Sequence, residues 1–226
     1  MWMTRNVFIL LALLLSNGCV VNTTDIVVIE EGPNPQLLAL WQVHKAQAAA
    51  VVDWRIRGKL AVKASKKGGH ASLRWNKAGI VEHLEVFGPL GGGRVEIDTD
   101  ENGAILKDTQ GKILRGLEME PLLQQRLGWP LPFNKLSSWV RGLPASDTQA
   151  MQFNENGEIS SMNDSGWQVS FPKYQSVSHS TVTGEAINMP QTIELNALPG
   201  TLKVYDDKGE YLGEDLFVRL IIKSWQ

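Results

Sequence analysis

The chain has 226 residues, which leaves about two hundred once an N-terminal export segment is set aside, a length that suits one domain rather than two. Lys and Arg number 22 against 24 Asp and Glu, a net charge of −2, so the basic footprint of a nucleic-acid-binding protein is missing and no nucleic-acid partner is expected. A single cysteine excludes an internal disulfide framework, and eight tryptophans point to an apolar interior with a few polar edges, although ordinary core packing accounts for most of them equally well.

Arg5 precedes an unbroken apolar run from Val7 to Leu15. A basic start and a short apolar stretch, far below the roughly 20 residues of a spanning helix, are the marks of an export signal. The run closes at Leu15-Ser16-Asn17-Gly18-Cys19, with the cysteine just after a small residue, where a bacterial lipoprotein signal peptidase cuts. Residues 1–18 are therefore expected to be a signal peptide and Cys19 the lipidated first residue. A solitary thiol in an exported chain has no disulfide partner, which favours the anchor over an accidental cysteine. Residues 19–35, ending in Gly32-Pro33-Asn34-Pro35, have no helical period and read as a tether. Val20 stands where an aspartate retains lipoproteins in the inner membrane, so the sorting rule predicts the outer membrane.

The body, 36–226, opens with Gln36 to Val52, which holds Leu37, Leu38, Leu40, Trp41 and several alanines with no Gly or Pro, a pattern that predicts an amphipathic helix. Trp54, Ile56, Leu60 and Val62 then alternate with Arg55, Arg57, Lys59 and Lys63, a strand with one apolar and one basic, solvated face. Turns are expected at Lys66-Lys67-Gly68-Gly69, Asn76 to Gly79, Glu101 to Gly103 and Thr109 to Gly111, with short strands between them in an antiparallel meander. The period changes at Glu118 to Leu127, a short helix stopped by Gly128. A second is expected from Asn134, as N-cap, to Arg141. Helices this short must pack across the sheet. Met151 and Phe153, Ile159, Trp167 to Phe171, Ile193 with Leu195, and Leu216 to Trp225 supply further strands. Asn154 to Gly157, Asn163 to Gly166 and Asp206 to Gly209 are read as turns.

Between two of these strands lies Gly88-Pro89-Leu90-Gly91-Gly92-Gly93, a loop that cannot continue a sheet. Leu90 is its one large side chain. It either folds back as a core plug, as loop statistics favour, or stands in solvent to touch something apolar such as a bilayer. Catalytic signatures are sparse. His44, His70, His83 and His179 do not pair at metal-ligand spacing, no Gly-x-Ser-x-Gly elbow occurs, and the triple glycine lacks the Lys-Ser/Thr of a phosphate cradle. Alternation sets Glu82 and Glu85 on opposite strand faces. No enzyme, metal or cofactor is expected.

Trp41, Arg57-Gly58, Gly88-Pro89-Leu90-Gly91, Leu127-Gly128-Trp129-Pro130-Leu131-Pro132, Trp139-Val140-Arg141-Gly142-Leu143-Pro144, Gly166-Trp167 with Tyr174, and Trp225, in this order, resemble LolB, the outer-membrane lipoprotein receptor family. The similarity covers nearly the whole mature chain. An irregular lipobox and an extra hairpin over Pro199 to Asp215 depart from the pattern. The resemblance implies a mainly β fold with short α-helices, an incomplete antiparallel β-barrel capped by helices around an apolar cavity. It implies a monomer that receives acylated outer-membrane lipoproteins from the periplasmic carrier LolA. It further implies N-acyl and S-diacylglycerol groups on Cys19, and a Pro89-Leu90-Gly91 loop whose leucine enters outer-membrane phospholipid. Trp75, Trp139, Trp167 and Trp225 are the candidate cavity wall. The alternative is a lipid-anchored assembly protein that binds a partner by sheet-edge pairing.

Overall fold

Over residues 34–65, 67–88, 93–146, 148–178, 186–205 and 209–226, the computed structural model starts with a helix, α1 (Pro35–Ala50). The side chain of Asn34 accepts from the Gln36 N–H at 2.9 Å and Pro35 opens the first turn, so the cap is written in the sequence. Six strands follow as a meander: β1 (Trp54–Ala64), β2 (Lys67–Ala78), β3 (Val81–Phe87), β4 (Arg94–Asp100), β5 (Gly103–Asp108) and β6 (Ile113–Gly116). In β1 the alternation is complete, with Trp54, Ile56, Leu60 and Val62 buried and the Arg and Lys side chains exposed.

Two helices come next, α2 (Met119–Leu127) and α3 (Phe133–Trp139), and then β7 (Gln149–Phe153), β8 (Ile159–Asp164), β9 (Trp167–Ser178) and β10 (Ala186–Ala197). A small separate hairpin, β11 (Val204–Tyr205) with β12 (Tyr211–Gly213), falls within Pro199 to Asp215, where an extra hairpin is expected, and β13 (Phe217–Trp225) closes the chain. Eleven strands form one antiparallel sheet in the order β6-β5-β4-β3-β2-β1-β13-β10-β9-β8-β7. Its edges, β6 and β7, do not pair, so the barrel is incomplete. The segment joining those edge strands is the one that carries α2 and α3, so the helices lie across the sheet from one edge toward the other.

Several expectations need correcting. Gly68 and Gly69 are in β2, not in a turn: Ala64 pairs with Lys67, which leaves a two-residue connection. A Cβ on Gly68 would lie 2.8 Å from the Val62 carbonyl oxygen, so glycine serves a close strand approach there. Asp164 likewise belongs to β8 and pairs with Trp167, which confines that turn to Ser165 and Gly166. Asn134 does not cap α3. Pro132 precedes the helix without a side-chain cap, and the Asn134 N–H donates instead to Glu120 Oε1 at 2.7 Å. In α1 the buried stripe is Trp41, His44 and Ala48, while Leu40 is 47% exposed. The turn at Gly157 sets this register, because its backbone runs directly under Leu40 and Trp41.

Residues Pro33–Gln226 form one compact unit. The signal segment, Cys19, most of the tether, Lys66, the Pro89-Leu90-Gly91 stretch, His179 and Asp206 to Lys208 of an expected turn lie outside the described residues. The base of that loop is described: the Gly88 N–H donates to the Gly93 carbonyl at 3.1 Å.

Candidate functional site

One face of the sheet carries an apolar floor that continues from strand to strand. Trp54, Ile56 and Leu60 of β1, Leu73 and Trp75 of β2, Leu84 of β3, Ile97 of β4 and Leu220 of β13 are all buried on it. The cover consists of Leu122, Leu123 and Leu127 from α2, Leu131 from the connection, and Phe133, Leu136 and Trp139 from α3, again all buried. Floor and cover make one core because each contributes a stripe that cannot be left in water. In this structure the cover's side chains and the floor belong to one continuous buried cluster.

A run of aromatic rings crosses the floor. Phe133 meets Trp75 edge-on with centroids 5.7 Å apart, Trp75 meets Trp54 at 4.9 Å, and Trp54 meets Trp225 at 5.9 Å. Of the four candidate tryptophans, Trp75 and Trp225 thus come together around Trp54, which the sequence reading placed in the strand but not in the site. Its signal was present, since Trp54 shares the buried parity of Ile56, which pairs with Trp75. Trp139 belongs to the cover itself. Trp167 lies across the sheet and lines a recess of about 180 Å³ with Glu120, Pro130, Leu131, Pro132 and Leu202, where cover and sheet meet.

Several polar groups of the floor and cover are paired. The Trp75 indole N–H donates to Glu82 at 2.9 Å, and Glu82 is ion-paired with Lys77. The Trp139 indole donates to Asp164 Oδ2 at 3.0 Å; Asp164 also accepts from the Ala145 N–H and from the Ser146 and Ser165 hydroxyls. Burial alone would raise the Asp164 carboxyl, but these four donors outweigh it and hold it below the usual range. Arg126 of α2 pairs with Asp108 of β5 at 2.6 Å. Arg141, whose pKa burial lowers, donates to the Ser137 carbonyl and, at 3.2 Å, to that of Val51 at the end of α1. The sequence reads Asp164 as a turn residue and Arg141 as the end of the second short helix, which stops instead at Trp139.

His44, under α1, is buried beside Tyr174 at 6.0 Å. Burial lowers its pKa, while nearby Glu158 acts in the opposite direction. The Tyr174 hydroxyl donates to the Ile159 carbonyl at 2.7 Å, and burial followed by Glu158 raises its pKa. Two larger recesses, of about 550 and 520 Å³, lie elsewhere and have mixed linings, with Asn154, Lys173 and Asn188 beside Phe171 and Tyr174 in the first and Asp98, Asp100 and Arg115 beside Val81, Ala104 and Ile105 in the second. Among the described residues no group of three or more His, Cys, Asp or Glu is placed to hold a metal ion.

The floor, the helical cover and the motifs along them can be set against known proteins. A family model described as "Outer membrane lipoprotein LolB" matches residues 52–225. The chain belongs to the LolB family. The outer-membrane lipoprotein LolB of Ectopseudomonas mendocina (strain ymp) is 31% identical over 223 residues, covering 97% of this chain and 94% of that one. LolB of Pseudomonas syringae pv. syringae (strain B728a) is 32% identical over 225 residues, covering 98% and 96%. Among solved structures, a putative outer membrane lipoprotein-sorting protein domain from Vibrio parahaemolyticus covers 84% of this chain and 91% of its own, at 9% identity and a TM-score of 0.41. LolB membership places the chain in the outer-membrane lipoprotein localisation family.

Proposed function

We propose that this chain is a lipid-anchored receptor on the periplasmic side of the outer membrane. It accepts acylated lipoproteins from the carrier LolA between floor and cover and deposits them in the inner leaflet. The observation that carries the reading is an apolar floor of β-strands closed only by two short helices, in a chain of the LolB family. Cys19 would hold the protein to the bilayer, and Leu90 would enter it.

The energies are matched. Seven large cover side chains are buried, at roughly 1.5–3 kcal/mol each, on the order of 10–20 kcal/mol. An acyl chain of about 15 methylenes brings on the order of 12 kcal/mol at about 0.8 each. Cover and cargo therefore compete for one surface on nearly equal terms, which allows uptake and release without nucleotide hydrolysis. Edge pairing with a partner strand has less support: β6 is four residues long, and β7 is bulged, with Ala150 at φ 52°.

Leu90→Glu tests the reading. Folding and binding of a fatty-acylated probe should be unchanged while deposition of cargo lipoprotein into outer-membrane vesicles is lost. A Leu90→Glu chain that unfolds would instead establish the leucine as a core plug.

A further inference from the structure

An indole N–H is a donor with no acceptor capacity, and when buried it ordinarily finds an oxygen. Trp75 and Trp139 obey this, through Glu82 and Asp164. Trp54 and Trp225 do not: both Nε1 atoms are buried without a hydrogen-bond partner, and the two rings are neighbours with centroids 5.9 Å apart. Two adjacent orphan donors in an apolar floor are costly, and an aromatic ring without an N–H would avoid that cost.

The ligand class that repays such donors is apolar over most of its length and carries a carbonyl acceptor at one end. A fatty chain ending in an ester or amide carbonyl has this form: the carbonyl oxygen offers two lone pairs, and an ester has no N–H or O–H. Trp54 and Trp225 stand on adjacent strands, β1 and β13, on the same face as the floor. Trp75, beside Trp54, touches Phe133 at the start of α3, so the row of rings that holds Trp54 and Trp225 reaches the cover through Trp75. We infer that the Trp54 and Trp225 indole N–H groups bind the carbonyl oxygen that joins a cargo acyl chain to its glycerol or to its N-terminal nitrogen. The inference rests on the acyl-receptor reading above and assigns the polar half of that site.

The test uses the full chain in alkyl glucoside micelles, which contain no carbonyl, with a fluorescent fatty-acyl probe displaced by methyl laurate, N-methyl lauramide or lauryl methyl ether. The wild-type chain should bind the better of the two carbonyl ligands about three- to tenfold more tightly than the ether, the range of one or two buried hydrogen bonds. Preference for ester or amide identifies which linkage is read. Trp54→Phe with Trp225→Phe should bind all three competitors equally, at the ether's level. A wild-type chain indifferent to the carbonyl, or a double variant that keeps the preference, overturns the assignment. Binding of the probe with no carbonyl preference sinks this inference alone, whereas absence of any probe binding sinks the receptor reading with it. Should the double variant fail to fold, wild-type chain with isotopically labelled tryptophan decides the matter. Two indole N–H resonances should move downfield with a carbonyl ligand and stay in place with the ether, and two unmoved resonances would overturn the proposal.

Discussion

Replacing Asp164 should unfasten the cover from β8. Its carboxylate is 2% exposed and takes four donors: the Trp139 indole at 3.0 Å, the Ala145 N–H at 2.6 Å, the Ser146 hydroxyl at 2.8 Å and the Ser165 hydroxyl at 2.6 Å. In Asp164→Ala the serines can turn to each other, since their oxygens already lie 2.8 Å apart, but the fully buried indole is left without an acceptor. Loss of bonds to a charged acceptor together with one orphaned donor comes to about 3–5 kcal/mol, or a fall in Tm of roughly 10 °C for a domain of this size. Asp164→Asn should cost only about 1 kcal/mol, because its oxygen can face Trp139 and Ala145 while its NH₂ meets serine oxygens able to accept. The folded-state pKa of Asp164 is depressed, so its extra stabilisation is present above the unfolded value near pH 4 and is lost as pH falls through the lower folded value. The gap between wild type and Asp164→Asn in urea midpoint should therefore close on acidification. An alanine variant within about 1 kcal/mol of wild type would refute the reasoning, as would a gap indifferent to pH.

Gly157→Ala should destabilise by about 3 kcal/mol, because φ is +76° and the new Cβ would sit 2.4 Å from the Leu40 Cβ and 2.9 Å from the Trp41 nitrogen. Hydrogen exchange in α1 should rise with it; unchanged protection there would separate the turn from the helix. Ala150→Gly should do the reverse, raising the urea midpoint by the equivalent of about 0.5–1 kcal/mol, since Ala150 holds φ 52° on an exposed edge strand. A lower midpoint would mean that the methyl group is used in a contact.

The fold was legible wherever a local rule decides. β1 could be read from Trp54 to Lys63 because every second side chain changes polarity, and α2 ends at Gly128, which adopts φ 79° as a C-cap must. Reading failed where four turn-forming residues stood in a row. Asn163, Asp164, Ser165 and Gly166 all suit a turn, but cross-strand register admits only the last two. It failed again at α3, where Asn134 has a cap's chemistry yet stands inside the helix because Pro132 begins the turn. The ties of the site were beyond local rules. Trp139 meets Asp164 across 25 residues, and Arg141 meets the Val51 carbonyl across 90, so no periodicity carries either. Trp54 is a different case: its parity was visible, but the empty state of its N–H is a property of packing.

On the receptor reading proposed above, the placement of these ties would govern how the chain lets go of cargo. Arg126 fixes α2 to β5, Asp164 fixes the end of α3 to β8, Glu120 accepts from the first turn of α3, and Arg141 joins α3 to the end of α1. Three of these tie the cover to its surroundings and the Glu120 contact joins its two helices, whereas the large buried side chains between them are hydrocarbon and aromatic. An incoming acyl chain replaces what these side chains lose, methylene for methylene, but offers nothing to a carboxylate or a guanidinium. Every such tie broken on loading is thus a cost that the cargo's tail does not offset, at about 1–3 kcal/mol each for charged hydrogen bonds. That cost holds the loaded state below the full transfer energy of the chain. On the same reading it would also leave the closed state as the one to which the protein returns once a bilayer takes the tail.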